Sequence, residues 1–226
     1  MQTCISSRLG HELVVLRAEG RADLEAAAQT DELIRRMDAE LRGLGLSLAD
    51  TVRTRLWARD RASRDQGSRA RVGALSGSAR SASSSFIAPD VFDSDALIAI
   101  ELWAMRPSRP GQVKTLVEYD PPIVPLRYLV YDSAVFLSGV TSVLPGLPGQ
   151  VEEILAGISG TLAHARVGWE HVSGISCILH RGESLDSLRS LLAARAAAAV
   201  PTEFSFADGY STEGKLIEIE VTAKLA

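Results

Sequence analysis

Two short β-type runs carry glutamates where a strand could offer them to a ligand. The run Lys215-Leu216-Ile217-Glu218-Ile219-Glu220-Val221-Thr222-Ala223 has a weaker twin, Leu97-Ile98-Ala99-Ile100-Glu101-Leu102-Trp103-Ala104, about half a chain earlier. A carboxylate such as Glu220 can relay protons when it lies within hydrogen-bond reach of a water or a substrate. Because it alternates with Ile219 and Val221, it could instead face solvent or pair with a cation. The spacing of the twins reads as one module present twice.

Other reactive residue types are sparse. Cys4 and Cys177 lie far apart without metal-ligand spacing, which argues against a zinc site or a disulfide framework. Cys177 falls in a strand pattern and reads as a small buried hydrophobe. His171 and His180 flank a strand and read as surface groups, and Trp57, Trp103 and Trp169 as packing groups. Arg53, Arg55, Arg59, Arg61, Arg64, Arg69 and Arg71 cluster, and the expectation for them is a solvated face and loop. A net charge of -4 gives no electrostatic reason to expect nucleic acid. At 226 residues, 46% hydrophobic and 23% charged, the chain suits a soluble protein of one large or two small domains. No apolar run approaches the ~20 residues of a membrane span. The first ten residues lack a basic start followed by an apolar block. The expectation is a cytoplasmic protein without a membrane partner.

Positioning elements follow from periodicity. His11 to Ala18 is a strand candidate, and Asp23 to Leu44 has the apolar spacing of a helix ended by Gly43 and Gly45. Thr51 to Ala58 alternates as a strand, with Arg53, Arg55 and Trp57 on one face. The stretch from Asp60 to Ser78, polar and rich in Arg, Gly and Ser, reads as a loop in which a short helix is open. Ala79 to Ala88 and Ala96 to Ala104 are strands. Pro107 to Pro125 is proline-rich and reads as a linker, with a further strand available from Val113 to Tyr119. The second half repeats the plan: a strand from Ala134 ending at Gly139, a helix from Gln150 to Ala165, a strand from Val172 to Leu179. A helix over 185–199 and strands from Thr202 to Ala207 and Leu216 to Ala223 follow. The boundaries are thus 1–106, a linker 107–125, and 126–226. Helices covering one face of a mixed sheet in each half is an α+β architecture.

In this order the pieces resemble the RidA (YjgF) family of small imine and enamine deaminases, whose fold is chorismate-mutase-like, and the resemblance implies two such modules, each a mixed sheet with helices packed on one face. The first half matches it with Gly45-Leu46-Ser47-Leu48-Ala49-Asp50-Thr51-Val52, with Ala79-Arg80-Ser81, and with Ile98-Ala99-Ile100-Glu101. The second half matches with Val135-Phe136-Leu137-Ser138-Gly139 and Ile217-Glu218-Ile219-Glu220, while Trp169-Glu170-His171-Val172 replaces the aspartate turn. The resemblance implies a pocket at a junction between modules. One module lends an arginine for a substrate carboxylate, and its neighbour lends a Ser-Gly turn and a glutamate that activates water.

The halves keep different parts. The first has Arg80 but offers Arg17-Ala18 where the Ser-Gly turn belongs. The second has Ser138, Gly139 and Glu220 but has Thr202 where the arginine belongs; its last arginine, Arg195, falls in a helical pattern. One site is therefore expected, with Arg80 and Glu220 catalytic and Ser138, Gly139 and Tyr128 at the substrate. Glu101 would take the glutamate's place in the defective junction. A guanidinium offers paired donors to a carboxylate, and glycine lets a ligand approach the backbone closely.

The resemblance implies an enzyme acting on a small carboxylated imine or enamine, by deaminating hydrolysis or a related tailoring step, without metal or organic cofactor. Chorismatases also resemble tandem modules of this kind, which makes a chorismatase-like reaction the alternative. Ala82, where the family often has cysteine, and the single arginine favour a non-catalytic binding module instead. The family analogy further implies a homo-oligomer, a trimer or a pseudo-trimer of modules.

Overall fold

The computed structural model describes residues 1–194 and 200–225. Its first half forms strands β1 (Gln2–Arg8), β2 (His11–Glu19), β3 (Thr51–Ala58), β4 (Ala82–Ile87) and β5 (Ile98–Met105), with helices α1 (Ala26–Gly43) and α2 (Arg61–Ala74). The five strands make one sheet in the order β1-β2-β5-β3-β4. The second half forms β6 (Thr115–Val117), β7 (Tyr128–Tyr131), β8 (Ala134–Leu137), β9 (Val140–Thr141), α3 (Leu147–His164), β10 (Val172–His180), α4 (Leu185–Ala193), β11 (Thr202–Ala207) and β12 (Ile217–Lys224). Its sheet runs β11-β10-β12-β8-β7-β6, with β9 also paired to β12.

In each half the parallel pair (β3 with β4, β10 with β11) is the crossover with a helix between its strands, and every other pairing is antiparallel. The helices cover one face of each sheet. Leu33, Ile34, Met37 and Leu41 of α1 pack on Leu16, Leu56, Ile98 and Ile100. Val151, Ile154, Ile158 and Leu162 of α3 pack on Ile175, Ile217, Ile219 and Val221. The other two faces meet each other. Trp103, Met105, Leu129 and Phe136 fill one part of that interface, and Trp57, Phe86, Ile178 and Tyr210 another. The molecule is thus an α+β fold of four layers, with both sheets inside.

At three places the structure adds to the sequence reading. Residues Asp60 to Ser78 are not mainly loop: α2 spans fourteen of them, and the Asp60 side chain caps it by accepting from the Ser63 N–H at 2.8 Å. The proline-rich stretch is more than a connector, because β6 pairs with β7 and Lys114 is buried. β1, which carries no apolar alternation, pairs with β2 across a Leu9-Gly10 turn with both residues at positive φ. The expected helix over 185–199 is described as far as Ala193; 195–199, with Arg195, lie outside the described residues.

Candidate active site at the sheet junction

β12 alternates with period two, so Ile217, Ile219 and Val221 enter the core under α3 while Glu218 and Glu220 face the other sheet. Both carboxylates are buried there, yet they meet opposite environments.

Glu220 is locked between arginines. Its Oε2 accepts from Arg53 Nη1 at 3.0 Å and from Arg55 Nε and Nη2 at 2.9 and 2.6 Å. Arg53 Nη2 also donates to the carbonyls of Leu137 and Val221, at 3.1 and 2.9 Å. It fits there because β8 ends at Leu137 and β9 begins at Val140, so the ladder to β12 opens at the Ser138-Gly139 turn. Burial works to raise the Glu220 carboxyl, but Arg55 and Arg53 outweigh it and bring it down to about 2. Arg55 Nη1 continues to Glu101 at 2.8 Å, and Trp103 Nε1 donates to the same Glu101 oxygen at 2.8 Å. The three-arginine stack on the Trp103 ring (Arg55, Arg53 and Arg8 within 5.0 to 5.8 Å of its centre) completes this layer.

Glu218 faces space. It lines a cavity of about 420 Å³ with Gly139, Ser84, Arg64, Arg71 and Lys215. A methyl group built on Gly139 would sit 1.8 Å from Glu218 Oε1, so only glycine leaves room for this carboxylate. Burial pushes Glu218 up to about 7, against the opposing pull of Ser84, Lys215 and Arg71. Its carboxyl therefore exchanges its proton near neutral pH. Arg71 donates through Nη1 to the carbonyl of Ser84 at 2.6 Å and of Thr54 at 3.5 Å, and burial lowers it to about 10. Arg64 is held by Ser85 Oγ, at 3.0 Å from Nε and 2.7 Å from Nη2. A second hollow of about 540 Å³ adjoins the first, sharing Arg71, Val72, Ser83 and Ile123 to Pro125 in their walls. Arg80 lines it and is paired with Glu118. The Arg80 carbonyl accepts from the buried Lys114 Nζ at 2.8 Å, and burial lowers that amine to about 7.

The structure therefore sorts the predicted residues. Gly139 stands in the cleft; Ser138 is buried behind it, its Oγ accepting from the Ser83 N–H at 3.3 Å. Arg80 reaches the adjoining hollow. Glu220 does not line the cleft: three donors meet one of its oxygens, and of the two glutamates of β12 it is Glu218 that lines it. Tyr128 points the other way, into the core under α3, where its hydroxyl meets His164 Nδ1 at 2.8 Å. Glu101 lines a separate hollow with Arg17 and Arg181. The arginine cluster is not a solvated face, since Arg53, Arg55 and Arg71 are buried. A period-two strand puts Glu218 and Glu220 on one face, so the sequence alone does not tell which of them meets open space and which meets the arginines.

No protein-family model matches this chain, and no curated protein matches it. Among solved structures it is similar to a chorismatase at 20% identity and a TM-score of 0.68, over 94% of this chain and 74% of that one. A YjgF/YER057c/UK114-family protein of Mycobacterium tuberculosis aligns with 50% of this chain and 99% of its own, at 18% identity and a TM-score of 0.43. A conserved Rid-family protein of unknown function from Yersinia pestis aligns with 50% and 100%, at 16% identity and a TM-score of 0.45. The chorismatase likeness runs through both halves, and it establishes the fold of this chain.

Proposed function

We propose that the protein is an enzyme in which Glu218 acts as acid and base on a small unsaturated carboxylate held by arginines. The observation that carries this is one buried carboxyl, raised to about 7, against Gly139 in a cleft lined by Arg64, Arg71 and Lys215. A group that titrates near neutral pH can give and take a proton within one turnover. The cations favour an anionic substrate, and Arg80 extends that field into the adjoining hollow, where a carboxylate would replace Glu118. With an imine, Glu218 protonates the nitrogen as water adds to the carbon. The proton lost by that water returns to Glu218, which passes it to the amine of the carbinolamine; the C–N bond then breaks, ammonia leaves, and loss of the hydroxyl proton to Glu218 gives the carbonyl.

A chorismatase-like reaction is the second reading, supported by the likeness through both halves. Both readings use Glu218 as the acid, and substrate decides between them. Incubation with an amino-acid-derived imine, following ammonia, and with chorismate, following pyruvate, separates them. Glu218→Gln should lower the rate on the true substrate by about 10²-fold or more. Arg80→Ala should raise KM. An unchanged rate in Glu218→Gln would sink the assignment of the acid, and turnover of neither compound would leave a binding module. The reading includes a homo-oligomer, for which β1, exposed along nearly its whole length, offers an edge. Sedimentation as a single species of 24.2 kDa would remove that part.

A further inference from the structure

A further cavity between the sheets, of about 330 Å³, shares no lining residue with the Glu218 cleft. Leu13, Trp103 and Met105 of the first sheet and Phe136 and Ile175 of the second give it apolar walls. Arg8 and Glu203 also line it. Arg8 Nη2 meets Glu203 Oε1 at 3.2 Å with both side chains 55% exposed, so this pair stands at the mouth.

The two halves differ at the residues that would fill this space. β3 and β10 are counterparts: each pairs parallel with the strand after its crossover helix and antiparallel with the last strand of its half. Both shift register at the same place, between Thr51 and Arg53 in β3 and between Val172 and Gly174 in β10. In β3 the inward positions after the shift are Arg53 and Arg55, whose side chains fill the junction and hold Glu220. In β10 they are Gly174 and Ser176, because Ile175, Cys177 and Leu179 enter the core under α3. The backbone does not demand glycine at 174. Its φ is not positive, and an added methyl group would meet only the Pro201 carbonyl oxygen, at 3.9 Å. Glycine weakens a strand interior, so what it provides here is room.

We propose that this cavity is a second small-molecule site, which takes an uncharged, flat, ring-containing ligand. A concave space of this size with mostly apolar walls and a few polar groups is the usual form of such a site. Two aromatic rings in the wall, Trp103 and Phe136, suit stacking or edge contact with a ring. Among the described lining residues Arg8 and Glu203 carry the only charges, and each neutralises the other. A charged ligand would lose its water there without gaining a partner. Ser173 and Thr202 line the cavity with their hydroxyls already donating to the carbonyls of Thr222 and Val200. Their lone pairs remain to accept from a ring N–H or O–H.

The site stands whether or not Glu218 is an acid, and its test needs no substrate. Indole is the probe, followed through the methionine methyl groups by ¹³C NMR of the intact protein. Of the three methionines, Met105 lines the cavity, Met37 lies in the core under α1 and Met1 is exposed. Indole should shift the Met105 methyl saturably at about millimolar concentration and leave Met37 in place. Gly174→Leu, which puts a side chain into the room, should weaken indole about tenfold or more. Indole-3-carboxylate should bind about tenfold more weakly than indole, or worse. No saturable shift of Met105, or an equal shift of Met37, overturns the site. Unchanged affinity in Gly174→Leu overturns its location, and equal affinity for the carboxylate overturns the ligand class. Should Gly174→Leu not fold, nuclear Overhauser contacts between indole and the Met105 methyl in the wild-type protein decide the location: their presence supports it and their absence overturns it.

Discussion

At the scale of single residues, two glutamates of one strand face respond to pH in opposite senses. Folded Glu218 titrates at about 7 and an ordinary glutamate at 4.5, so between those values the folded chain holds a proton that the unfolded chain has released. Stability therefore falls as pH rises through that window, by about 3 kcal/mol in all, and the loss is complete above about 7. Glu220 acts in reverse. Its contribution is present above 4.5 and is lost as pH falls towards 2. Thermal melts of Glu218→Gln between pH 5 and 8 should lack the decline that wild type shows. Parallel curves for the two proteins would contradict a buried, titrating Glu218. Catalysis through the protonated form should weaken above about pH 7 in wild type.

At the scale of elements, α2 sets the distance between its arginines and the sheet. Gly67 lies where α2 crosses close to the layer beneath. An added methyl group would stand 2.7 Å from Ile98 Cδ1 and 3.1 Å from both Leu56 Cδ1 and Thr30 Oγ1. Gly67→Ala should cost about 1–3 kcal/mol and reduce turnover, because lifting the helix moves Arg64 and Arg71 together. Gly160 in α3 is the control: nothing lies within 4 Å of its added methyl. Gly160→Ala should gain up to about 1 kcal/mol from helix propensity and leave activity unchanged. Urea denaturation of both variants measures the contrast, and equal effects would show that α2 has room to spare. The Ser138-Gly139 turn acts similarly. It breaks the β12 ladder, which admits Arg53 on one side and clears space for Glu218 on the other.

At the scale of the whole molecule, an ion pair joins the sheets. Arg53 and Glu220 have side-chain exposures of 2% and 1%, and neither can be rehydrated without parting the layers. Removing one partner of such a pair typically costs 3–5 kcal/mol. Since Arg55 also holds Glu220, Arg53→Met should cost about 3 kcal/mol. The double variant with Glu220→Gln should be no worse than the single one, because the under-paired buried carboxylate is gone and Arg55 keeps Glu101 as its partner. A double variant markedly less stable than the single one in urea melts would mean that the pair is not the link between the sheets. Because the cleft takes walls from β4 and α2 of one half and from β9 and β12 of the other, a single chain builds it.

Local pattern alone determined the α+β character of both halves, the Asp23 to Leu44 and Gln150 to Ala165 helices, and the last strand of each half, since alternation and helical spacing are properties of neighbouring residues. Tertiary structure decided the rest. Burial of Arg53 and Arg55 depends on a second sheet whose Glu220 lies 167 and 165 positions away, so in the sequence they resemble a solvated run. The helical turn from Asp60 lacked an apolar stripe because one face of α2 is spent on serine, glycine and arginine that pack or line the cleft. Glu218 and Glu220 share a strand face and differ only in what stands opposite: two guanidiniums at one, the open space beside a glycine at the other. That difference, set by the junction and absent from the strand, separates a structural anion from a group able to move protons.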